Sequence, residues 1–286
     1  MGIRSFFHKI KMGFVRLGEI SIPYVNEAKN YGNCGEDEFA YMLRRELLSC
    51  KIKRNVVIST PEGNAEIDCL VLYHNKLFAI EVKRWKGCLA ECESGFIQSK
   101  TDRWTGETHT KHLKSPFRQL GRAIYLLRKQ NPVKAWVNSI VFFENEDLES
   151  LTVFSDNVWF KSYESILDYI TNGGKVSFGN SANDFFEKCN PADCLHTNSM
   201  GKSLHCVINR DTLKFETPQG IIPTEQILSI RISHHWSYDE LHIELTDGSE
   251  RVTTLENAKI QISDNGSINT YALCKLDRIE LGRTIN

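Results

Sequence analysis

Three charged residues at close spacing suggest the clearest chemistry in this sequence. Asp68 lies in one apolar run, while Glu81 and Lys83 close the next, separated by a single residue. Charged side chains on apolar strands are costly to bury unless they are paired or bound to a metal ion. Two carboxylates with water suit Mg²⁺ or Mn²⁺, and a nearby ammonium stabilises phosphoryl charge. A structural ion pair produces the same pattern, so the residues alone leave both interpretations open.

A β-hairpin is needed to bring these residues together. Apolar runs at 67–73 and 77–82 flank a short polar break, which is typical of two paired strands. An even-residue loop, for instance at 75–76, places Asp68 opposite Lys83 on one face. The acid two residues before the lysine shares that face, because side chains alternate along a strand. An odd-residue loop would turn the aspartate to the other face.

The same residues belong to an ordered set of short motifs. In chain order the set is Gly32-x-x-Gly35-Glu36, Glu66-Ile67-Asp68, Ile80-Glu81-Val82-Lys83 with Trp85 and Gly87, and Ser115-Pro116-x-x-Gln119. Over roughly residues 30–172 this set resembles the nuclease-related domain (NERD), a branch of the restriction-endonuclease-like nucleases with the PD-(D/E)xK motif. Ile67 replaces the proline found in the wider superfamily, and isoleucine is usual in the NERD branch.

The resemblance implies a fold and a mechanism. The expected fold is α/β, a restriction-endonuclease-like mixed-sheet core flanked by helices. The implied catalytic residues are Glu36, Asp68, Glu81, Lys83 and Gln119, and the implied metal ligands are Asp68, Glu81 and the backbone carbonyl of Val82. Lys83 would orient or activate the attacking water and stabilise the transition state. The implied activity is Mg²⁺-dependent hydrolysis of DNA phosphodiester bonds, with Mn²⁺ as a second metal; the alternative is a non-catalytic nucleic-acid-binding or assembly module.

A strongly basic segment follows the acidic motif. Residues 100–134 carry nine basic residues and two acids, a net charge of +7, whereas the whole chain has a net charge of −1. Basic residues interleaved with aromatic ones suit a nucleic-acid surface, with DNA expected rather than RNA. A solvated helix face is the alternative. The candidate contact residues are Trp85, Lys86, Arg103, Lys114, Arg118 and Arg122.

Changes in residue pattern along the chain, together with the resemblance, predict four segments. They are a basic amphipathic extension at 1–29, with a helix at 3–17; a nuclease domain at 30–172; a linker at 173–203; and a small C-terminal antiparallel β domain at 204–286. The hairpin signals at 246–249 and 264–267 support the last part. We expect it to be an interaction module for a protein partner or a second copy of the chain.

Composition sets the broad class. A hydrophobic content of 41% is ordinary for a globular protein, and no apolar run reaches the length of a membrane span, so no integral membrane association is expected. Nine cysteines without regular spacing indicate reduced thiols and a cytoplasmic location. A zinc site built from Cys189, Cys194, His196 and the pair at 205–206 is an alternative use for some of them.

Periodicity places the remaining elements of the predicted nuclease domain. Helices are expected at 32–50, 116–130 and 162–170, and strands at 52–60 and 135–143.

Overall fold

A computed structural model describes residues 27–102, 104–144, 148–197, 202–213, 215–217, 220–235, 238–255, 259–264, 267–282 and 284–285. The predicted helix at 3–17 and the candidate Arg103 lie outside the described residues. The described chain divides into two compact units, one formed by residues 27–191 with 284–285, the other by residues 192–282. No described helix is long and apolar enough to cross a membrane.

The elements are numbered in chain order. The helices are α1 (Glu27–Glu46), α2 (Pro116–Gln130), α3 (Tyr163–Asn172) and α4 (Ser181–Glu187). The strands of the first unit are β1 (Lys51–Thr60), β2 (Gly63–Tyr73), β3 (Lys76–Lys83), β4 (Gly87–Cys92), β5 (Gly95–Thr101), β6 (Thr108–Lys114), β7 (Val137–Phe143), β8 (Leu148–Thr152), β9 (Trp159–Phe160) and, at the end of the chain, β20 (Thr284–Ile285). The strands of the second unit are β10 (Asp193–Thr197), β11 (Lys202–Ile208), β12 (Phe215–Thr217), β13 (Gly220–Ile222), β14 (Ile227–His234), β15 (Asp239–Leu245), β16 (Glu250–Leu255), β17 (Lys259–Asp264), β18 (Ser267–Ala272) and β19 (Arg278–Glu280).

A mixed six-stranded sheet is the centre of the first unit. Its order is β20-β1-β2-β3-β7-β9. Strands β1 to β3 pair antiparallel, and β7 runs parallel to β3. One face packs against Phe39 of α1 and Ile166 of α3, and the other against Leu120 of α2 and Phe185 of α4. Apolar burial on both faces explains the continuous apolar runs of β2 and β3, and the expected α/β class is confirmed.

Helix α2 has the predicted limits because both of its ends are marked by the sequence. The hydroxyl of Ser115 caps the helix by accepting from the N–H of Arg118, and Pro116 occupies the first turn. The chain leaves the helix at Asn131, whose side chain donates to the carbonyl of Phe185. The apolar stripe that includes Leu120 and Leu127 is buried against the sheet.

Helix α1 differs from its predicted limits. It already includes Glu27, so Glu36 lies in its middle, whereas the sequence placed this acid in the first turn of a helix at 32–50. A helix that began at residue 32 would place this carboxylate near the positive end of the helix dipole, but in the middle of the helix that stabilisation does not apply, since the effect is confined to the terminal turn. Gly32 and Gly35 suggested a helix start, but the helix continues through both.

A second sheet of four strands, in the order β6-β5-β4-β8, was not predicted. Its edge strand β6 is polar and exposed along almost its whole length. Without an alternating apolar pattern, such a strand cannot be distinguished from a loop in the sequence. The basic segment at 100–134 therefore begins on a β-hairpin, β5–β6, and only later enters helix α2.

The predicted linker at 173–203 is instead built into both units. Its first part forms α4, where Phe185 and Phe186 are fully buried. The buried ammonium of Lys53 donates to the backbone carbonyls of Phe186, Glu187 and Cys189 at the end of this helix. A lysine that satisfies terminal carbonyls stabilises a helix end, so strand β1 holds this segment in place. Its last part forms β10, the central strand of the second unit.

The second unit is a curled antiparallel sheet. Eight strands pair in the order β16-β15-β14-β19-β10-β11-β17-β18 around one apolar core. The hairpins expected at 246–249 and 264–267 join β15 to β16 and β17 to β18. The buried carboxylate of Asp193 accepts from the N–H groups of Ile208 and Gly282 and from the guanidinium of Arg210.

The outer edge of β1 is covered by two short segments from distant parts of the chain. Pro191 forms a β-bridge with Val56, and the N–H of Val57 donates to the carbonyl of Asn190. Further along the same strand, β20 pairs antiparallel, with Thr284 opposite Lys53. An edge strand of the central sheet is thereby kept from exposing its unpaired backbone groups.

We predict that Lys53→Met lowers the free energy of unfolding by about 2–3 kcal/mol, because buried carbonyls lose their donor. Hydrogen exchange should accelerate at the amides of 181–191 and stay unchanged in α2. The matched control is Lys51→Met: this exposed lysine contacts Glu187 at 3.1 Å, and its loss should cost less than about 0.5 kcal/mol. Equal effects of the two substitutions would show that the cap at Lys53 is dispensable.

Candidate active site

The hairpin that carries the acidic motif turns one residue earlier than predicted. Tyr73 pairs with Lys76, so the loop is the two residues 74–75, and Val71 lies opposite Phe78. His74 adopts a positive φ of 50°, which the turn requires. The loop has an even number of residues as expected, but the register is shifted by two. The faces are therefore preserved, and Asp68 is in line with Glu81 instead of Lys83.

The two strands separate at the acidic residues. The last β2–β3 pair is Cys69 with Ile80, and beyond it the N–H of Val82 donates to Oδ2 of Asp68 at 2.8 Å. The β1–β2 ladder is also interrupted here, at Asn55, which has a φ of 48°. A local break of this kind redirects a side chain. Asp68 thus points into the opening between β2 and β3 and does not continue the ladder.

The ammonium group of Lys83 lies between the two carboxylates. Its Nζ is 2.6 Å from Oε1 of Glu81 and 3.7 Å from Oδ2 of Asp68. Glu81 is only 7% exposed, so the cluster lies largely outside bulk water. The structure therefore brings together the three residues that the sequence singled out, with a positive charge facing both acids.

Burial and mutual repulsion shift the acids of this cluster. Burial, followed by the charge of Asp68, raises the pKa of Glu81 to about 7 and that of Glu36 to about 8. Burial also raises the pKa of Asp68, against the opposing effect of Lys83. Burial alone would lower the pKa of Lys83, but the carboxylates of Asp68 and Glu81 raise it above its ordinary range. The lysine is consequently a fixed positive charge, and Glu81 and Glu36 titrate around neutral pH instead of in the usual acidic range.

Helix α1 brings Glu36 to this cluster through an unusual contact at Gly35. A Cβ atom at Gly35 would lie 2.1 Å from Cδ of Arg84, so only glycine lets the arginine side chain cross the helix there. Arg84 follows Lys83 directly and binds Glu144 at 2.7 Å and Glu38 at 3.0 Å. The second glycine of the Gly32-x-x-Gly35 motif is thereby explained by packing, and it fixes α1 against the end of β3.

Two predicted site residues have other surroundings. Gln119 is exposed in the first turn of α2, and in the described part of the chain its side chain makes no hydrogen bond to the three central residues. Trp85 packs its ring against Phe96 at 5.6 Å and Phe143 at 5.9 Å. This ring belongs to an aromatic cluster between the second sheet and the first, so it has a packing role, and its contact with nucleic acid stays a prediction.

The residues predicted to contact nucleic acid differ in their exposure and in the contacts they make. Arg118 donates to the carbonyl of Glu93, and Arg122 to the carbonyl of Glu62, each at 2.6 Å. Both arginines are exposed, but they also fasten α2 to neighbouring turns. Lys114 is exposed at the end of β6, and the backbone carbonyl of Lys86 accepts from Gln98.

The side-chain groups constrain which metal the chain can hold. Among the described residues, no group of three Asp, Glu, His or Cys side chains is arranged to bind a metal ion. Of the residues in the zinc alternative, Cys206 packs in the core of the second unit, whereas His205 lies opposite Cys194, whose thiol hydrogen-bonds with His196 and His205. Two carboxylates at Asp68 and Glu81 do suit Mg²⁺, which uses one or two carboxylates together with water and phosphate.

The fold and the site define the first unit as a mixed-sheet α/β domain with a buried carboxylate–lysine cluster. Residues 31–144 match the family model of the nuclease-related domain, NERD. This match agrees with the motifs of the sequence, and it suggests a nuclease-related function, which implies interaction with nucleic acid. Neither the curated proteins nor the solved structures contain a significant match to the chain.

Gly35→Ala should destabilise the protein by about 1–3 kcal/mol, because the added methyl group displaces Arg84 and overpacking has a cost of this order. The gain in helix propensity, about 0.5–1 kcal/mol, only partly offsets that cost. Gly121→Ala in α2 is the control: nothing lies within 4 Å of its added Cβ, so the same gain should appear as a higher melting temperature. Stabilisation by both substitutions would refute the packing role of Gly35.

The buried acids predict how stability changes with pH without metal. Glu81 and Glu36 titrate near 7 and 8 in the folded protein but near 4.5 when unfolded. Across that window the folded state holds protons that the unfolded chain releases, so stability falls as pH rises. In EDTA, the melting temperature should drop by several degrees from pH 5.5 to 8.5, since each pKa unit is worth ~1.4 kcal/mol.

Glu36→Gln and Glu81→Gln should each flatten this pH dependence, and Glu93→Gln, at an exposed position, should not. An unchanged slope in both site variants would show that neither acid is protonated in the folded protein at neutral pH.

Proposed function

We propose that this protein is a Mg²⁺-dependent nuclease that hydrolyses DNA phosphodiester bonds, with a restriction-endonuclease-like core. The observation that carries the proposal is the Lys83 ammonium beside Asp68 and Glu81 at the opening between two strands of the part that matches the NERD model. Two buried acids with raised pKa around one lysine, at the open end of the paired strands, support this proposal.

Asp68 and Glu81 would hold Mg²⁺ or Mn²⁺, together with the backbone carbonyl of Val82. A bound divalent ion supplies charge neutralisation at the scissile phosphate and a water of lowered pKa. The hydrogen bond from the N–H of Val82 keeps one oxygen of Asp68 oriented and leaves the other for a ligand. Because metal affinity requires deprotonated carboxylates, the raised pKa of Glu81 makes binding weaken as pH falls.

Lys83 acts as a positive charge and hydrogen-bond donor. Its raised pKa keeps it protonated at neutral pH, so it orients water and stabilises the negative charge that develops on the phosphate, and it does not abstract a proton. Glu36, on α1, adds a third acid to the cluster and would assist metal binding through a water molecule. Gln119, exposed on α2, would contact the substrate or its waters.

The protein is proposed to act in the cytoplasm. Eight cysteines in the described residues are in the thiol form, six of them buried, as expected for a reducing compartment.

The test uses circular and linear DNA incubated with the purified full-length protein in Mg²⁺, Mn²⁺ or EDTA. Asp68→Asn, Glu81→Gln and Lys83→Met should each reduce cleavage by at least about 10²- to 10³-fold, the usual effect of removing one charge-stabilising group. Asp184→Asn and Lys188→Met, at exposed positions of the same unit, should cut like the wild type.

Thermal shift measurements separate metal binding from catalysis. Mg²⁺ should raise the melting temperature of the wild type and of Lys83→Met, because an ammonium does not ligate a metal, but not that of Asp68→Asn. DNA binding with no cleavage under any metal would favour the alternative, a non-catalytic module. A metal-independent activity, or one retained by Asp68→Asn, would overturn the proposed site.

A further inference from the structure

The β5–β6 hairpin extends away from the core as an arm. At its base Phe96 is fully buried and Leu113 is half-buried, but from Lys100 onward both strands are exposed. At the tip, Trp104 is 96% exposed. We call residues 98–111 the arm. Its tip carries a large apolar ring that no described part of the protein covers.

The turn that presents Trp104 is ordered by its own hydrogen bonds. One carboxylate oxygen of Asp102 accepts from the N–H groups of Trp104 and Thr105, each at 2.8 Å. The N–H of Asp102 also donates to the carbonyl of Glu107, and the carbonyl of Asp102 accepts from the N–H of Gly106. The position of the ring's backbone is thus fixed before any ligand binds, which lowers the entropic cost of using it.

One face of the arm is basic. Lys100 lies directly opposite His109, and Lys111 lies opposite Gln98, so these four side chains share a face. One carboxylate oxygen of Asp102 is occupied by the turn amides, and the carboxylate of Glu107 lies 4.0 Å from the ring of His109. The positive charge of this face therefore comes from two lysines, Lys100 and Lys111, in a row that leads to the exposed tryptophan, which is complementary to a polyanion that carries flat apolar groups.

The base of the arm is fixed beside the proposed nuclease site. The side chain of Gln98 donates to the carbonyl of Lys86 at 2.8 Å. Gly87 has a φ of 78°, and a Cβ there would lie 2.4 Å from the carbonyl oxygen of Ser99 and 2.9 Å from Cγ of Lys100. The arm thus starts on the segment that leaves β3 just after Lys83. From Gly95 to Thr101, strand β5 spans about 20 Å, or about six stacked nucleotides.

We propose that this arm binds single-stranded DNA next to the cleavage site, with its basic face on the phosphates and Trp104 stacked on an unpaired base. The substrate class is then DNA with a single-stranded segment, such as an overhang, in preference to blunt continuous duplex. The preference follows because a ring can stack only on a base whose face is open, and stacking is tolerant of sequence. This inference rests on the proposed nuclease function and specifies its substrate.

The test is fluorescence anisotropy of the full-length protein in EDTA with a labelled single strand, an overhang duplex and a blunt duplex. Trp104→Ala should weaken binding of the first two by about 5- to 100-fold and of the blunt duplex by less than about twofold. Trp104→Phe should retain most of the affinity. The control Phe178→Ala removes a ring that is 97% exposed elsewhere in the unit and should change nothing.

The lysines are tested by salt dependence. Lys100→Gln with Lys111→Gln should reduce the slope of log affinity against log salt by about 1.4 on single strands, for two lost phosphate contacts. The control pair Lys161→Gln with Lys188→Gln, both exposed, should leave the slope unchanged.

Failure of the arm and failure of the nuclease are distinguishable. If Trp104→Ala binds every DNA like the wild type, the arm proposal is wrong, even if the wild type cleaves. If Trp104→Ala loses single-strand affinity while the wild type cleaves nothing, the arm stands as a binding element and the nuclease proposal falls. Dependence on Trp104 that appears only with RNA of the same sequence would overturn the assignment to DNA.

Discussion

The contact of one ammonium with two buried carboxylates is the interaction around which the first unit is arranged. Asp68 and Glu81 would repel each other and lose hydration in this position, and Lys83 compensates for both effects. The compensation is incomplete, since both acids still have raised pKa values. A site in this condition favours an additional cation, which is the electrostatic requirement of a phosphoryl-transfer centre.

The surrounding structure serves to keep this cluster accessible and in place. The separation of β2 and β3 leaves an opening in the sheet at Asp68. The side chain of Arg84 crosses α1 at Gly35 and so fixes the distance between this helix and the sheet. The second sheet begins on the residues that follow Lys83, and the side chain of Gln98 at the base of the arm donates to the carbonyl of Lys86 in that segment. Stability and function thus depend on the same few backbone positions.

The residues of the candidate site could be predicted from the sequence, but some of the strands and helices around it could not. The hairpin, the α/β class and helix α2 follow from apolar runs and capping residues, which act locally. The predicted hairpin register was shifted because the polar break at 74–76 allows two loops with an even number of residues. Lys76 caps α3 by donating to the carbonyls of Thr171 and Gly173. This tertiary contact decides between the two loops. The packing of α4 on the first unit depends on Lys53, which lies more than a hundred residues earlier in the sequence. The polar strand β6 has no alternating apolar residues from which a strand could be predicted.

The edge of β1 has a consequence for how the chain is put together. The residues at 190–191 and those of β20 run in the same direction along one edge of this strand, bonded at Val56 and then at Lys53. They behave as the two halves of a single edge strand that is interrupted by residues 192–282. In topological terms the antiparallel β domain is an insertion within the first unit, not an appendage after it. Excising it and rejoining the two halves with a short loop would therefore conserve every strand of the central sheet, whereas simple truncation would remove one.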